Sequence, residues 1–315
     1  MTGSDPARRS EATPNRARPA TERRRALTWV LVALVAAALC AVVHLIAVRT
    51  LPGQRIDDVA MQGRKATDLG ARRAATAAMR VGTPALVVVF VPAAVAVAWR
   101  RGRALAGVVV AGAVVLTVAV ARWSKDALPR VDLLGDAWVA PDNTFPSGHS
   151  AAAMAVALAS VALSPRVRRR PVAAVAAVAV AVHSTAMLGS GWHRPSDVLG
   201  GFALAVTAMA LSFAVLHGTR QEDCRVDAPG ARRGPAPAWW VEVATLAAVA
   251  AVLLVLRNRS PNPDHPFVAF FGAVLLVDAV AMGCVRAVAV LVDRGIRRDQ
   301  PSAAPAGAGN SRENT

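Results

Sequence analysis

The chain has no tyrosine, and aromatic residues make up only 4% of its 315 positions. It also lacks the two hydrophobic periodicities of soluble folds: apolar residues neither alternate, as on a half-buried strand, nor recur every three to four positions, as on a surface helix. No soluble domain fits any stretch. Three cysteines, Cys40, Cys224 and Cys284, are too few and too scattered for a disulfide framework or a cysteine metal set. Lysine is scarce as well, with Lys65 and Lys125 the two in the chain. What is present is 55% hydrophobic residues gathered in long blocks.

A membrane-spanning helix needs about 20 predominantly apolar residues. Blocks near that length occur at 26–48, 82–99, 104–121, 148–164, 171–190, 198–217, 239–256 and 267–291. They predict an all-α, polytopic membrane bundle of about eight transmembrane helices. The first block follows Arg23, Arg24 and Arg25 and is too long for a signal-peptide core, so it reads as an uncleaved anchor. Glu242, Asp278 and Arg286 lie within the last two blocks. Glu242 and Arg286 are expected to snorkel at the inner interface, while Asp278 lies deeper.

A formal charge of +16 would suggest a nucleic-acid partner in a soluble protein. Here the arginines gather between the apolar blocks, so topology accounts for them and no nucleic acid is expected. With the N-terminus inside, the segments 1–25, 100–103, 166–170, 218–238 and 292–315 carry the larger share of the 36 Lys and Arg. The positive-inside rule then puts both termini in the cytoplasm of a multi-pass cell-membrane protein. Residues 1–25 and 292–315 read as basic disordered tails and 218–238 as a cytoplasmic loop. The sizeable outer loop 49–81 mixes Ala, Met, Leu and Arg, which suggests a short surface helix on lipid headgroups.

Two segments carry catalytic residue types. Pro146-Ser147-Gly148-His149 runs into Ser150-Ala151-Ala152-Ala153, the expected start of a helix, where free N–H groups and the helix dipole favour an anion. Pro146 suits the first turn, Ser147 adds a hydroxyl, and Gly148 lets an oxyanion approach the backbone. His149 could give a proton to a leaving oxygen; alone, it is equally a polar boundary residue. In His193-Arg194-Pro195-Ser196-Asp197, a carboxylate four residues after a histidine can hold one ring nitrogen and leave the other facing a substrate. Upstream, Lys125 and Arg130 flank a proline turn as a point charge and a fork suited to phosphate oxygens. The span order brings these three segments to one membrane face. A metal site would need three or four ligands, and Asp132, Asp136 and Asp142 have no ligand spacing to recommend them.

The residues from Lys125 to Asp197 resemble the type 2 phosphatidic acid phosphatase superfamily of integral membrane lipid phosphatases, related to the vanadium haloperoxidases. Its pattern is a lysine followed by Arg-Pro, then Pro-Ser-Gly-His, then Ser-Arg with a later His and, after three residues, Asp. The second part stands intact at 146–149, and the last His and Asp at His193 and Asp197. Val131 replaces the first proline, Lys125 stands closer to Arg130 than is usual, and Ala186-Met187 stands where Ser-Arg is due. Losing one charge-assisted hydrogen bond costs about 1.5 to 3 kcal/mol, enough to weaken or retune a site without abolishing it.

The resemblance implies a six-span phosphatase core over 26–217 with its active site in 125–197, and two additional helices over 239–291. It implies a hydrolase of a lipid phosphate or diphosphate, of the isoprenoid-carrier or phosphatidic acid type, working at the outer face without metal or cofactor. His193 would attack phosphorus to form a phosphohistidine, Asp197 would orient it, and His149 would protonate the leaving group. Lys125, Arg130, Ser147 and Gly148 would hold the phosphate oxygens, with Arg194 a further candidate for the missing arginine. The alternatives are a lipid phosphotransferase with the same site and a non-catalytic lipid-phosphate binder or transporter.

Overall fold

The computed structural model describes residues 17–128, 130–135, 143–218, 239–259 and 266–297. Much of both tails, residues 219–238 of the loop 218–238 (Cys224 among them), Asp136 and Asp142 lie outside the described residues. Among the described residues the secondary structure is helical throughout, in nine α-helices. They are α1 (Ala17–Val43, continued by a π-helical turn His44–Val48), α2 (Leu51–Gly63), α3 (Leu69–Arg100), α4 (Ala104–Ala127), α5 (Gly148–Leu163), α6 (Arg166–Ser190), α7 (Pro195–Gly218), α8 (Trp239–Arg259) and α9 (Pro266–Arg297). Every one of the eight apolar blocks falls on one of these helices. Six helices are long and apolar enough to cross a membrane, and α5 and α8 contribute shorter apolar stretches. The chain is a polytopic helical membrane protein.

Helix α5 is the axis of the bundle. A helix that is hydrophobic all round must be buried all round, and α5 is enclosed by α3, α4, α6, α7 and α9. Its alanines at 151, 152, 153, 155, 157 and 159 are buried and let its neighbours approach closely. Glycines in α7 serve the same end near the membrane face. A Cβ on Gly201 would lie 2.6 Å from the Ser147 carbonyl oxygen and 3.1 Å from the Ala151 nitrogen, and one on Gly200 would strike the Phe145 ring. The N-terminal ends of α5 and α7 are therefore in backbone contact. On the far side of α7 lies α1, where Trp29 meets Phe213 edge-on with ring centroids 4.8 Å apart.

The ninth helix joins the same core: Phe270, Val274, Val277, Ala281, Val285 and Val288 are buried in the hydrophobic cluster that contains α5 and α7 residues. Its polar residues are also tied to neighbours. Asp293 pairs with the buried Arg169 of α6 at 2.7 Å, and Asp278 accepts a hydrogen bond from Thr185 at 3.0 Å. Glu242 and Arg286, both expected to snorkel at the interface, pair with each other across α8 and α9 at 3.7 Å.

The loop 49–81 holds α2, and this helix does more than rest on a surface. Thr50 caps its start by accepting the Gly53 N–H at 3.2 Å, with a proline in the first turn, and Gly53 has no room for a Cβ against the Ile46 carbonyl. The tight return folds α2 onto α9, burying Gln54, Asp57, Ala60 and Met61. Asp68 then caps α3 by accepting the Ala71 N–H at 2.8 Å. At 32 residues α3 exceeds the roughly 20 needed to span, so its first turns stand beyond the apolar stretch.

Candidate active site

The C-terminal ends of α1, α4 and α6 and the N-terminal ends of α5 and α7 share one face of the bundle, so the three motif segments meet there. Ser147 is the N-cap of α5 and fully buried; its Oγ accepts from the Ser150 N–H at 3.2 Å and from the Ser150 hydroxyl at 3.1 Å. Pro146 thus precedes the cap, where the first helical turn was expected. The Ser147 N–H donates to the Asp197 carbonyl at 2.9 Å, fastening α5 to α7. A Cβ on Gly148 would meet only Ala121, at 3.8 Å, so protein packing alone does not require glycine there.

His193 lies just before α7, and Asp197 lies in its first turn. The spacing had suggested a pair one helical turn apart; instead the histidine stands on the approach to the helix. Its Nδ1 faces Asp197 Oδ2 at 3.6 Å, with both side chains buried. The same Oδ2 accepts from the Arg194 backbone N–H at 2.8 Å and from the Thr144 hydroxyl at 2.6 Å. Asp197 reaches back to the N–H before its own helix, which is half of a capping box. One carboxylate therefore caps α7 and lies beside the histidine.

The ring of His149 lies 5.9 Å from that of His193, centroid to centroid, and 5.5 Å from that of Trp192. Lys125, in the last turn of α4, is half-buried and within electrostatic reach of Asp197 and His149. The Arg130 side chain is 6% exposed. Gln54 fixes the strand of chain after it by donating to the Val131 carbonyl at 2.7 Å and accepting the Leu133 N–H at 3.1 Å. Arg194 is buried too, with its guanidinium 3.4 Å from the Thr144 hydroxyl. Met187 is fully buried in the hydrophobic core, so apolar packing occupies the position where the family pattern places a cation.

Two carboxylates take roles that residue spacing did not indicate. Asp132 accepts the N–H groups of Leu134 and Gly135 at 3.0 and 3.2 Å and shapes a turn. Asp57 of α2, which the motifs do not include, is drawn into the site. It accepts from the Ser196 N–H at 3.2 Å and from the Ser196 hydroxyl, and it lies 3.9 Å from Arg130. Burial, then the charge of Asp197, pushes the Asp57 carboxyl up to about 7, against the opposing pull of Ser196 and Arg130. Thr144 was also missed. Its one signal was its place two residues before Pro146, while Asp57 stood out only as an acid in an arginine-rich loop. Among the described residues no three His, Cys, Asp or Glu side chains cluster as a metal site.

These features define a class: a helical membrane protein with a histidine pair, a buried carboxylate beside one of the two and clustered cations where five helices end. Residues 102–221, which hold α4 to α7, match the PAP2 superfamily model, the family that the motifs resemble. Members of that superfamily are generally phosphatases. No curated protein and no solved structure matches the chain.

Proposed function

We propose that the protein is a membrane phosphatase that hydrolyses a lipid phosphate or diphosphate through a phosphohistidine. The observation that carries this reading is the His193–Asp197 pair facing His149, within reach of Lys125, Arg130 and Arg194. With its Nδ1–H toward Asp197, His193 has the lone pair on Nε2 for attack on phosphorus. The N–P bond forms as the P–O bond to the leaving group breaks, and His149 gives its proton to the departing oxygen. Water then attacks the phosphohistidine, His149 takes the water's proton, and His193 leaves phosphorus with its electron pair. Lys125, Arg130, Arg194 and the Gly148 N–H stabilise the charge on the equatorial oxygens, and the absence of a packing reason for Gly148 supports that use. In this reading Ser147 acts chiefly by holding the helix start.

The lipid part of the reading is supported by an apolar cavity of about 560 Å³ between α3, α5 and α6, lined by Leu86, Ala153, Val156, Val175 and Val180 and reaching His183. An acyl or isoprenoid chain fits its chemistry, and the positive-inside bias supports a site at the outer leaflet. The burial of Met187 favours one alternative, a binder that has lost turnover.

The test is phosphate release by the detergent-purified protein from a panel of lipid monophosphates and diphosphates, with chelator present. Release by the wild type and none by His193→Ala is the expected result. Equal background from both proteins on every substrate would remove the hydrolase reading, and loss of activity on adding chelator alone would remove the metal-free mechanism.

A further inference from the structure

Beside the histidine pair lies a second cationic site that the motifs do not include. Arg72, Arg73, Thr76 and Arg80 recur on one face of the outer end of α3, since residues three, four, seven and eight apart share a face of a helix. That face, with Arg64 from the turn after α2 and Ser190 from the end of α6, lines a cavity of about 390 Å³. No carboxylate is among the residues that line it. Arg64 and Arg72 are half-buried, and the Nε of each is shielded from solvent without a hydrogen-bond partner among the described residues. Burial, followed by the Arg72 charge, lowers Arg64 from its ordinary value, as crowding of like charges requires.

The cavity is built into the active-site wall. Arg64 Nη1 donates to the Ser190 carbonyl at 3.5 Å, and its guanidinium lies against Gly191, where a Cβ would strike it. Gly191 has a φ of 79°, a conformation in which glycine is unstrained, so the α6–α7 turn and the arginine fit one another. The guanidinium of Arg80 stands 5.9 Å from the Trp192 ring centroid, and the His149 ring is 5.5 Å from the same ring. Two backbone steps separate Gly191 from His193, at most about 7.6 Å between Cα atoms. Like charges held together in a low-dielectric pocket repel one another, and a bound anion reverses the sign of that interaction.

We propose that Arg64, Arg72, Arg73 and Arg80 form an anion subsite, separate from the histidine pair, that binds a phosphate group. The group is either the second phosphate of a substrate whose first lies at His193, or the headgroup phosphate of a lipid beside the protein. This inference goes beyond the phosphatase reading and does not depend on turnover.

The test uses the full chain carrying His193→Ala, so that nothing is hydrolysed. One arm titrates inorganic pyrophosphate and inorganic phosphate into the protein in neutral detergent and follows heat. The other compares melting in vesicles of phosphatidylcholine with and without phosphatidylglycerol. Adding Arg64→Gln and Arg72→Gln is expected to weaken binding about tenfold or more. Loss confined to pyrophosphate identifies a substrate phosphate, and loss of the phosphatidylglycerol stabilisation identifies a headgroup. If both arms are unchanged by these substitutions, the subsite does not exist. Should the half-buried pair fail to fold when substituted, Arg73→Gln with Arg80→Gln, both exposed, is read by the same criteria. Failure of the phosphatase reading is distinguishable, because it removes phosphate release by the wild type and leaves these binding results in place.

Discussion

Asp57 supplies a sharp physical test, because replacing it should stabilise the protein at neutral pH. The residue is 3% exposed, and its carboxyl is pushed from the ordinary 3.8 to about 7. Between about pH 4 and pH 7 the folded protein holds a proton there that the unfolded chain has released. Stability therefore falls as pH rises through that window and levels off above it. Three pH units at about 1.36 kcal/mol each bound the loss at about 4 kcal/mol. Asp57→Asn stays neutral throughout: its amide oxygen can accept the Ser196 N–H, and its NH₂ can donate to the Ser196 hydroxyl oxygen, much as the protonated acid does. Melting of both proteins in neutral detergent from pH 4 to pH 8 should give coincident values at the acid end. The variant should then melt progressively higher, by about 2 to 4 °C for each kcal/mol. Parallel curves would refute the reasoning. A wild type that gains on the variant as pH rises would show that Arg130, at 3.9 Å, stabilises the charged carboxylate by more than burial penalises it.

Two further substitutions examine the histidine pair and its support. Asp197→Asn removes a charge 3.6 Å from His193 Nδ1, an attraction of about 4 to 5 kcal/mol at an effective dielectric of about 20. Turnover should drop on the order of a thousandfold, and a variant retaining more than about a tenth of wild-type turnover would mean that another group orients the histidine. Gly201→Ala places a Cβ 2.6 Å from the Ser147 carbonyl oxygen and should cost about 1 to 3 kcal/mol as overpacking does. It is read as a lower melting temperature; unchanged melting would show that α5 and α7 can separate without penalty.

The membrane helices were legible because hydrophobic blocks report their length directly, and each of the eight blocks lies on a helix. Helix boundaries at the site were less so. Pro146 is compatible with a first helical turn by its φ alone, and only the Ser147 hydroxyl accepting the Ser150 N–H settles where α5 begins. The motif residues could be named from residue type and spacing, since a histidine and a carboxylate four apart have few other joint uses. Asp57 and Thr144 could not, because their roles arise from long-range folding. Asp57 reaches Ser196 across 139 residues, and only the Thr50 cap and the Gly53 contact turn α2 inward. The arginine cradle was hidden for a different reason. Outside the membrane an arginine-rich loop reads as ordinary flanking charge until helix α3 gathers four of its positions beside Ser190.

The shortness of α5 fixes the depth at which chemistry would occur. Its 16 residues rise about 24 Å, against about 30 Å of hydrocarbon in a bilayer. With its Leu163 end level with one edge of the hydrocarbon layer, His149, partly buried in the bundle, would lie several ångströms short of the opposite edge. A phosphate would thus have to sink beneath the plane of its neighbouring headgroups to meet the histidines, and the arginines of α3, which extends farther out, would line the descent.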